Sequence, residues 1–264
     1  MRLDDVVESA DGTQISVSAI GEGEPIVLVH GSTGSADGFA LVVPELATDF
    51  RVVTYDRRGR GRSGDRPDHA LEREADDLRA VLAWAHGPVH LFGHSYGARV
   101  AMVTAPANAD LASLVLYEPP LAMDEVPAET LEAIFDADRA GDWEEVLARF
   151  LPNAEITPDE IAFIRSDSPS WNRVLDGART VARETRALLE QPPDLDTLRS
   201  VDVPALVIRG GETTFPIFLR GLDDVAAALG ATIETIPGQR HIATAGAPGA
   251  LATAIRRFVM GLRR

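Results

Sequence analysis

Ser95 is the residue whose type and neighbours most clearly indicate chemistry. It lies in the run Gly93-His94-Ser95-Tyr96-Gly97, after a short apolar stretch and before small and apolar residues at helical spacing. This order predicts a strand, a tight turn and a helix. Glycine is needed two positions either side of the serine, because a side chain there would collide with the neighbouring helix or strand. The serine hydroxyl then stands clear of the sheet as a candidate nucleophile; the alternative is an ordinary strand-to-helix turn.

The chemistry that this turn favours is attack on a carbonyl group. The Tyr96 amide begins the predicted helix, where unpaired N–H groups and the helix dipole stabilise a developing oxyanion. A serine hydroxyl is a weak nucleophile at neutral pH, so a base must take its proton and a carboxylate must orient that base. The rest of the chain must therefore supply a base and an acid.

Two further loops extend the pattern. His30-Gly31-Ser32 follows an apolar run, and residues 55–63 follow another with the sequence YDRRGRGRS. With the serine turn, they make the chain resemble the α/β-hydrolase superfamily over nearly its whole length apart from a central segment. The resemblance implies that the Ser32 amide is the second oxyanion donor and that His30 shapes its loop rather than acting as a base. It implies no catalytic role for the arginines of 55–63, which we expect to be structural or solvated, although they could attract an anionic substrate.

His241 is the candidate base. It lies in a loop after the last predicted strand and before a helix, which resembles the catalytic-histidine loop of the superfamily and follows its chain order of nucleophile, acid and base. A lone histidine in a loop is otherwise ordinary polar surface. Four other histidines lie in polar or helical stretches, in a strand or within the serine turn: His69, His86, His90 and His94.

The acid is the irregular part of the pattern. In most relatives an aspartate follows the strand after the central segment in a Gly-x-x-Asp pattern, but here residues 209–216 read RGGETTFP. Glu118 instead ends the strand after the nucleophile helix, at the carboxyl edge where ligand-binding loops gather. Some branches of the superfamily, including certain haloalkane dehalogenases and zearalenone lactonases, carry the acid there. We predict Glu118 as the acid, with Glu212 or another carboxylate as alternatives; Glu118 could also be a structural partner of an arginine.

The elements that must position these residues follow from hydrophobic periodicity. Alternation and short apolar runs predict strands, and helical spacing predicts helices between them. Strands that alternate with helices imply an α/β fold with a mostly parallel sheet covered on both faces. The predicted strands are 13–20, 25–29, 51–55, 89–92, 114–117, 205–208 and 232–236, and the helices are 75–85, 97–105, 222–229 and 248–259.

The central segment, residues 119–203, breaks this alternation. Helical patterns occur at 128–140, 143–150 and 177–189, without a convincing strand, and prolines punctuate them as helix boundaries would. We predict a helical lid inserted into an α/β-hydrolase core formed by residues 1–118 and 204–264. We expect the aromatic residues of the lid mainly to pack its own small core, with one or two lining the pocket: Phe135, Trp143, Phe150, Phe163 and Trp171.

Composition excludes several classes of function. The 264 residues include 25 Lys and Arg against 41 Asp and Glu, and a net charge of −16 disfavours nucleic acid and anionic membranes as partners. The absence of cysteine excludes a thiol nucleophile and a thiolate metal site. The chain has neither a signal-like start nor an apolar stretch of about 18 residues, so we expect a cytoplasmic protein.

The reaction predicted from these residues is acyl transfer to water. Relatives with epoxide hydrolase or dehalogenase activity use an aspartate nucleophile, so Ser95 argues against those activities. We predict a serine hydrolase that acts on a small, hydrophobic ester or lactone and uses neither a cofactor nor a metal. The alternatives are a C–C bond hydrolase, a thioesterase or a perhydrolase with the same triad and, in another class, an inactive small-molecule-binding protein. The sequence does not indicate the oligomeric state.

Overall fold

The computed structural model describes residues 2–107 and 110–263. Within these residues a single sheet has eight strands in the order β1-β2-β4-β3-β5-β6-β7-β8. β1 and β4 each pair antiparallel with β2, and the remaining neighbours are parallel. The predicted α/β class is therefore confirmed. The strands are β1 (Arg2–Glu8), β2 (Gln14–Ile20), β3 (Pro25–Val29), β4 (Arg51–Tyr55), β5 (Val89–His94), β6 (Leu111–Tyr117), β7 (Ala205–Gly210) and β8 (Thr232–Ile236).

Helices cover both faces of the sheet and fill the interval between β6 and β7. They are α1 (Val43–Leu46), α2 (Leu71–Ala85), α3 (Tyr96–Thr104), α4 (Ala128–Ala140), α5 (Trp143–Asn153), α6 (Pro158–Ser166), α7 (Ser168–Ala178), α8 (Val181–Glu190), α9 (Leu195–Leu198), α10 (Pro216–Leu219), α11 (Leu222–Ala228), α12 (Ala243–Gly246) and α13 (Pro248–Gly261). Among the described residues, none of these helices combines the length and the hydropathy that a bilayer span requires.

Strand β3, at the centre of the sheet, is apolar and buried at every position because helices cover both sides. Val27 of β3 belongs to one core with Leu78 of α2, whereas its neighbour Leu28 belongs to a second core with Leu46 and Ile255. Successive side chains of a strand point to opposite faces, so a continuous apolar run fills two cores at once. This packing holds the carboxyl ends of β3, β5 and β6 together, and Ser32, Ser95 and Glu118 follow these ends, whereas His241 follows β8.

Residues 128–190, here called the cap segment, comprise helices α4 to α8. These helices share a small core of their own, formed by buried residues such as Ile134, Val146, Leu147 and Val181. Four of the five aromatic residues of the segment pack partly buried against this core, as expected, whereas Phe163 is 78% exposed. The cap segment therefore has a small core of its own. It also packs on the rest of the fold, here called the sheet domain (the described residues outside 128–190), because Ala187 and Leu188 of α8 belong to the core beneath the sheet.

The structure differs from the predicted elements in several places, among them an edge strand, a cap helix and a proline. Strand β1 was missed because its side chains are exposed apart from Val7, which leaves little periodic signal at a sheet edge. The predicted helix 177–189 is divided between α7, which ends at Ala178, and α8, which begins at Val181. Pro152 lies inside the last turn of α5 rather than at a boundary.

Candidate active site

The Ser95 turn has the strained geometry that its glycines predict. Ser95 adopts φ 55° and ψ −124°, a conformation costly for any residue with a side chain, and its amide donates to the Tyr117 carbonyl at 2.9 Å. A Cβ atom on Gly97 would lie 2.3 Å from the Val29 carbonyl oxygen, and one on Gly93 would lie 2.6 Å from the Cα atom of Ala98. The turn therefore fits only because glycine occupies both positions, and it presents Ser95 between the ends of β5 and α3.

Glu118 is fully buried at the end of β6 and makes three close contacts. Its Oε1 accepts hydrogen bonds from the Gly210 amide at 2.7 Å and from the Thr213 hydroxyl at 2.5 Å. Its Oε2 lies 2.7 Å from Nδ1 of His241. A buried carboxylate must be hydrogen-bonded to be tolerated, and here both oxygens are engaged. The structure thus brings together the predicted acid and the predicted base across 123 positions of sequence.

His241 is held by contacts on several sides. Its carbonyl accepts a hydrogen bond of 2.7 Å from Nε2 of His94, whose ring lies 4.8 Å from the His241 ring. Burial and the adjacent His241 lower the pKa of His94 to about 3, so the His94 ring is neutral and can donate from Nε2. Phe218 stacks on the His241 ring with a centroid separation of 3.9 Å. With Nδ1 engaged by Glu118, Nε2 is the ring nitrogen left for proton transfer.

Ser95 and the two predicted oxyanion residues, Ser32 and Tyr96, line the same narrow cavity of about 40 Å³. Its other walls are almost entirely apolar and come from both the sheet domain and the cap segment, including Leu131, Ile134, Phe150, Leu188, Ile217 and Phe218. A second cavity, of about 530 Å³, is larger and more open. Gly34 and Arg60 are among the residues that line it, and none of the predicted site residues do.

Comparison with known proteins places this architecture in a family. A model described as the alpha/beta hydrolase family matches residues 26–254. The chain belongs to this family. The resemblance inferred from the serine turn and its two companion loops is therefore confirmed, and the membership indicates a hydrolase.

Similar proteins include both solved structures and curated proteins. A crystal structure of an alpha/beta hydrolase from Sphaerobacter thermophilus superposes with a TM-score of 0.85 at 30% identity, covering 96% of this chain and 99% of the other. A non-heme haloperoxidase of Rhodococcus erythropolis is 26% identical over 258 residues, which are 89% of this chain and 92% of that protein. The uncharacterized hydrolase YraK of Bacillus subtilis is 39% identical over 95 residues, and this match spans only 35% of its length.

Glu212, the alternative acid, makes no side-chain hydrogen bond with His241 among the described residues of this α/β-hydrolase. Its side chain is exposed, and its amide donates to the Gln239 carbonyl at 2.8 Å. The position near which relatives carry an aspartate is instead occupied by Thr213, which supports Glu118. The sequence analysis recorded at this position only the absence of the usual aspartate. The available signal for the role of Thr213 was a hydroxyl in place of that aspartate, in a chain whose predicted acid lies on another strand.

The arginines of 55–63 are mostly structural. Arg57, Arg58 and Arg60 are at most 2% exposed, and each forms an ion pair with a buried carboxylate. The solvated alternative therefore applies to Arg62 alone, whose side chain is 58% exposed. One of the carboxylates, Glu184, belongs to the cap segment and was missed by sequence reasoning. The available signal was that Glu184 shares a face of the predicted helix with apolar residues, which indicates a buried charge that needs a partner.

Proposed function

We propose that this α/β-hydrolase is a cofactor-independent serine hydrolase that cleaves a carboxylic ester or lactone. In this proposal Ser95 is the nucleophile, His241 the base and Glu118 the acid. The observation that carries the proposal is the 2.7 Å contact between Glu118 and His241, in a loop that His94 ties to the strained Ser95 turn. A nucleophile, an oriented base and a buried acid are the parts that serine-based acyl transfer requires.

The proposed cycle assigns one task to each group. Ser95 Oγ attacks the substrate carbonyl while Nε2 of His241 takes its proton, and Glu118 stabilises the resulting imidazolium through Nδ1. The amides of Ser32 and Tyr96 donate to the tetrahedral oxyanion. His241 returns the proton to the leaving alcohol, which departs from an acyl-enzyme on Ser95. Water, deprotonated by His241, then attacks the acyl-enzyme. The bond between Ser95 Oγ and the acyl carbon breaks, His241 returns the proton to Oγ, and the acid is released.

The cavity supports a small, apolar acyl group. Its volume of about 40 Å³ is far below the roughly 300–1,000 Å³ of most ligand pockets, and aliphatic and aromatic side chains dominate its walls. A short hydrocarbon chain fits such a space without leaving buried polar groups unpaired. Esters of two- to four-carbon acids are therefore the first substrates to test.

A perhydrolase reaction is the second candidate. The observation in its favour is the haloperoxidase relative, whose match extends over 92% of its length. In such a reaction hydrogen peroxide replaces water in attacking the acyl-enzyme, and the product is a peroxy acid. The same Ser95 acyl-enzyme serves both reactions, so the relative rates with peroxide and with water distinguish the two candidates.

The proposed nucleophile is tested by the intact mass of the protein after exposure to a small fluorophosphonate, with Ser95→Ala as the control. We expect one adduct on the wild type and none on the variant, followed by turnover of p-nitrophenyl acetate by the wild type alone. An equal adduct on both proteins would contradict the assignment of Ser95. No adduct on either, together with saturable ester binding, would indicate an inactive small-molecule-binding protein.

A further inference from the structure

The peptide group between Gly31 and Ser32 is held in a fixed orientation by its carbonyl oxygen. Nδ1 of His30 lies 2.9 Å from this oxygen, Nη2 of Arg57 donates to it at 3.2 Å, and the Gly34 amide donates at 3.3 Å. Because a trans peptide group is planar, its N–H points opposite to its C=O. The groups that fix the Gly31 carbonyl therefore also fix the direction of the Ser32 amide.

His30 contributes to this arrangement as a neutral ring. Burial and the nearby Arg57 guanidinium lower its pKa well below the usual value. The Arg57 amide donates to Nε2 of His30 at 3.1 Å, so the ring proton resides on Nδ1 and is donated to the Gly31 carbonyl. The Arg57 backbone therefore sets the tautomer of His30. The tautomer and the orientation of the Gly31 carbonyl thus both depend on the position of Arg57.

Arg57 contacts the elements around both predicted oxyanion donors. Its guanidinium lies over the Tyr96 ring at 4.5 Å, in addition to its bond with Gly31. Two carboxylates hold it. Glu74 of α2 accepts from Nη1 at 2.8 Å through both oxygens, and Glu184 of α8 accepts from Nη2 at 2.6 Å. The same Nη2 atom therefore joins the cap segment to the peptide group that carries the Ser32 amide.

Glu184 is suited to this role by its charge and burial. It is 2% exposed and also accepts from Nη2 of Arg60 at 2.8 Å. Burial alone would raise the pKa of its carboxyl, but Arg57, Arg60 and the Ser32 hydroxyl lower it to about 2. An ionised carboxylate is thus held between two buried guanidiniums, where charge-assisted hydrogen bonds are short and directional.

We propose that Glu184 is a positioning residue for the oxyanion hole: from the cap segment it holds Arg57, and through Arg57 it aims the Ser32 amide. The proposal rests on the proposed function, because it assumes that an oxyanion forms beside Ser95. It adds that the cap segment, besides lining the cavity, completes the geometry that stabilises the transition state. Displacing α8 would therefore weaken catalysis even for a substrate that makes no contact with the cap.

The experiment compares Glu184→Gln with Arg183→Gln. Arg183 is the adjacent residue of α8 and also joins the cap to the sheet domain, through hydrogen bonds of 2.9 and 2.8 Å to Asp65 and of 3.4 Å to the Arg58 carbonyl. Within the described residues its side chain makes no hydrogen bond to Gly31 or Arg57. Kinetics are measured with p-nitrophenyl acetate. Inhibition constants are measured for a methyl trifluoromethyl ketone, which forms an oxyanion adduct with the serine, and for the corresponding alcohol, which forms none.

We expect Glu184→Gln to lower kcat about tenfold with KM changed less than about threefold, a smaller loss than the 10²- to 10³-fold cost of deleting an oxyanion donor. The preference for ketone over alcohol should fall by a similar factor, and Arg183→Gln should retain both. A reduced kcat with an unchanged ketone preference would overturn the proposal, because a merely structural role predicts that result.

Glu184→Asp provides a second route if the glutamine variant does not fold. It retains the charge between Arg57 and Arg60 but shortens the side chain by one methylene, so the same decrease in ketone preference is expected and an unchanged preference overturns the proposal. Failure of the proposed function gives a different result. In that case the wild type itself forms no fluorophosphonate adduct and shows no preference for the ketone.

Discussion

The two sides of Ser95 are built from different parts of the molecule. The acid side consists of Glu118, His241 and Thr213, all of which follow strands of the sheet domain. The oxyanion side consists of the Gly31–Ser32 peptide group and the buried ions behind it, and Glu184 of the cap segment belongs to this side. In the proposed site, the sheet domain alone orients the base, whereas the proposed oxyanion donors also depend on the cap.

The two sides also differ in how their charges are neutralised. On the acid side one carboxylate is satisfied by an amide, a hydroxyl and an imidazole. On the oxyanion side two carboxylates and two guanidiniums, those of Glu74, Glu184, Arg57 and Arg60, form a buried network. Removing one member of a buried ion pair leaves an uncompensated charge, which is costly. Substitutions on the oxyanion side should therefore change stability and catalysis together, and those on the acid side mainly catalysis.

The largest expected effect is on the acid side. Glu118→Gln keeps the shape of the side chain but removes the charge that stabilises the His241 imidazolium, so we expect kcat to fall about 10⁴-fold. Glu212→Gln, a change on an exposed neighbouring loop, is the matched control and should leave kcat within about twofold. Steady-state kinetics with p-nitrophenyl acetate measure both. A nearly unchanged kcat in Glu118→Gln would remove Glu118 from the proposed triad.

The second effect is on the oxyanion side and concerns how the free energy of unfolding changes with pH. The pKa of the Glu184 carboxyl is about 2 in the fold against a usual value of 4.5, so its ionised form stabilises the fold fully above pH 4.5. This contribution, up to about 3 kcal/mol, is lost as the pH falls from 4.5 towards 2. Urea unfolding across this pH range should show a smaller decrease in the free energy of unfolding for Glu184→Gln than for the wild type. Parallel curves for the two proteins would show that Glu184 contributes nothing to the acid sensitivity.

A smaller effect is expected from the hydroxyl that supports the acid. Thr213→Val removes the 2.5 Å hydrogen bond to Glu118 without changing the side-chain shape, and we expect kcat to fall about tenfold. Thr214→Val is the matched control, since that hydroxyl donates to Glu155 of the cap segment at 2.9 Å instead. The control should lower the melting temperature with little change in kcat. Equal losses of kcat in both variants would mean that the cap also controls the acid side.

The smallest effect concerns the cavity wall that the cap segment supplies. Phe150→Ala enlarges the space beside Ser95, and we expect the activity ratio of p-nitrophenyl hexanoate to acetate to rise several-fold. Phe163→Ala removes the same side chain from an exposed position of the cap and should leave the ratio unchanged. If the ratio stays constant in Phe150→Ala, the acyl group does not occupy this cavity.

What the sequence determined by itself was local. The apolar runs of the buried strands, the paired glycines around Ser95 and the glutamate at the end of β6 each depend on neighbours within a few positions, because strand periodicity and turn sterics act over that distance. The α/β class and the bounds of β3, β4 and β8 followed from these patterns. Edge strand β1 was not predictable in this way, because its side chains are mostly exposed and only its pairing with β2 identifies it as a strand.

Only the tertiary structure decided which charged groups meet. Sequence could rank Glu118 above Glu212, but contact with His241 depends on how the loops after β6 and β8 converge. The pairing of Arg57 with Glu184 spans 127 positions and joins the sheet domain to the cap segment. Ion pairs of this kind leave no periodic trace, because their energy depends on burial and distance rather than on local spacing. The sequence therefore indicated the candidate reacting groups, and the packing of the loops and of the cap against the sheet decided what holds them in place.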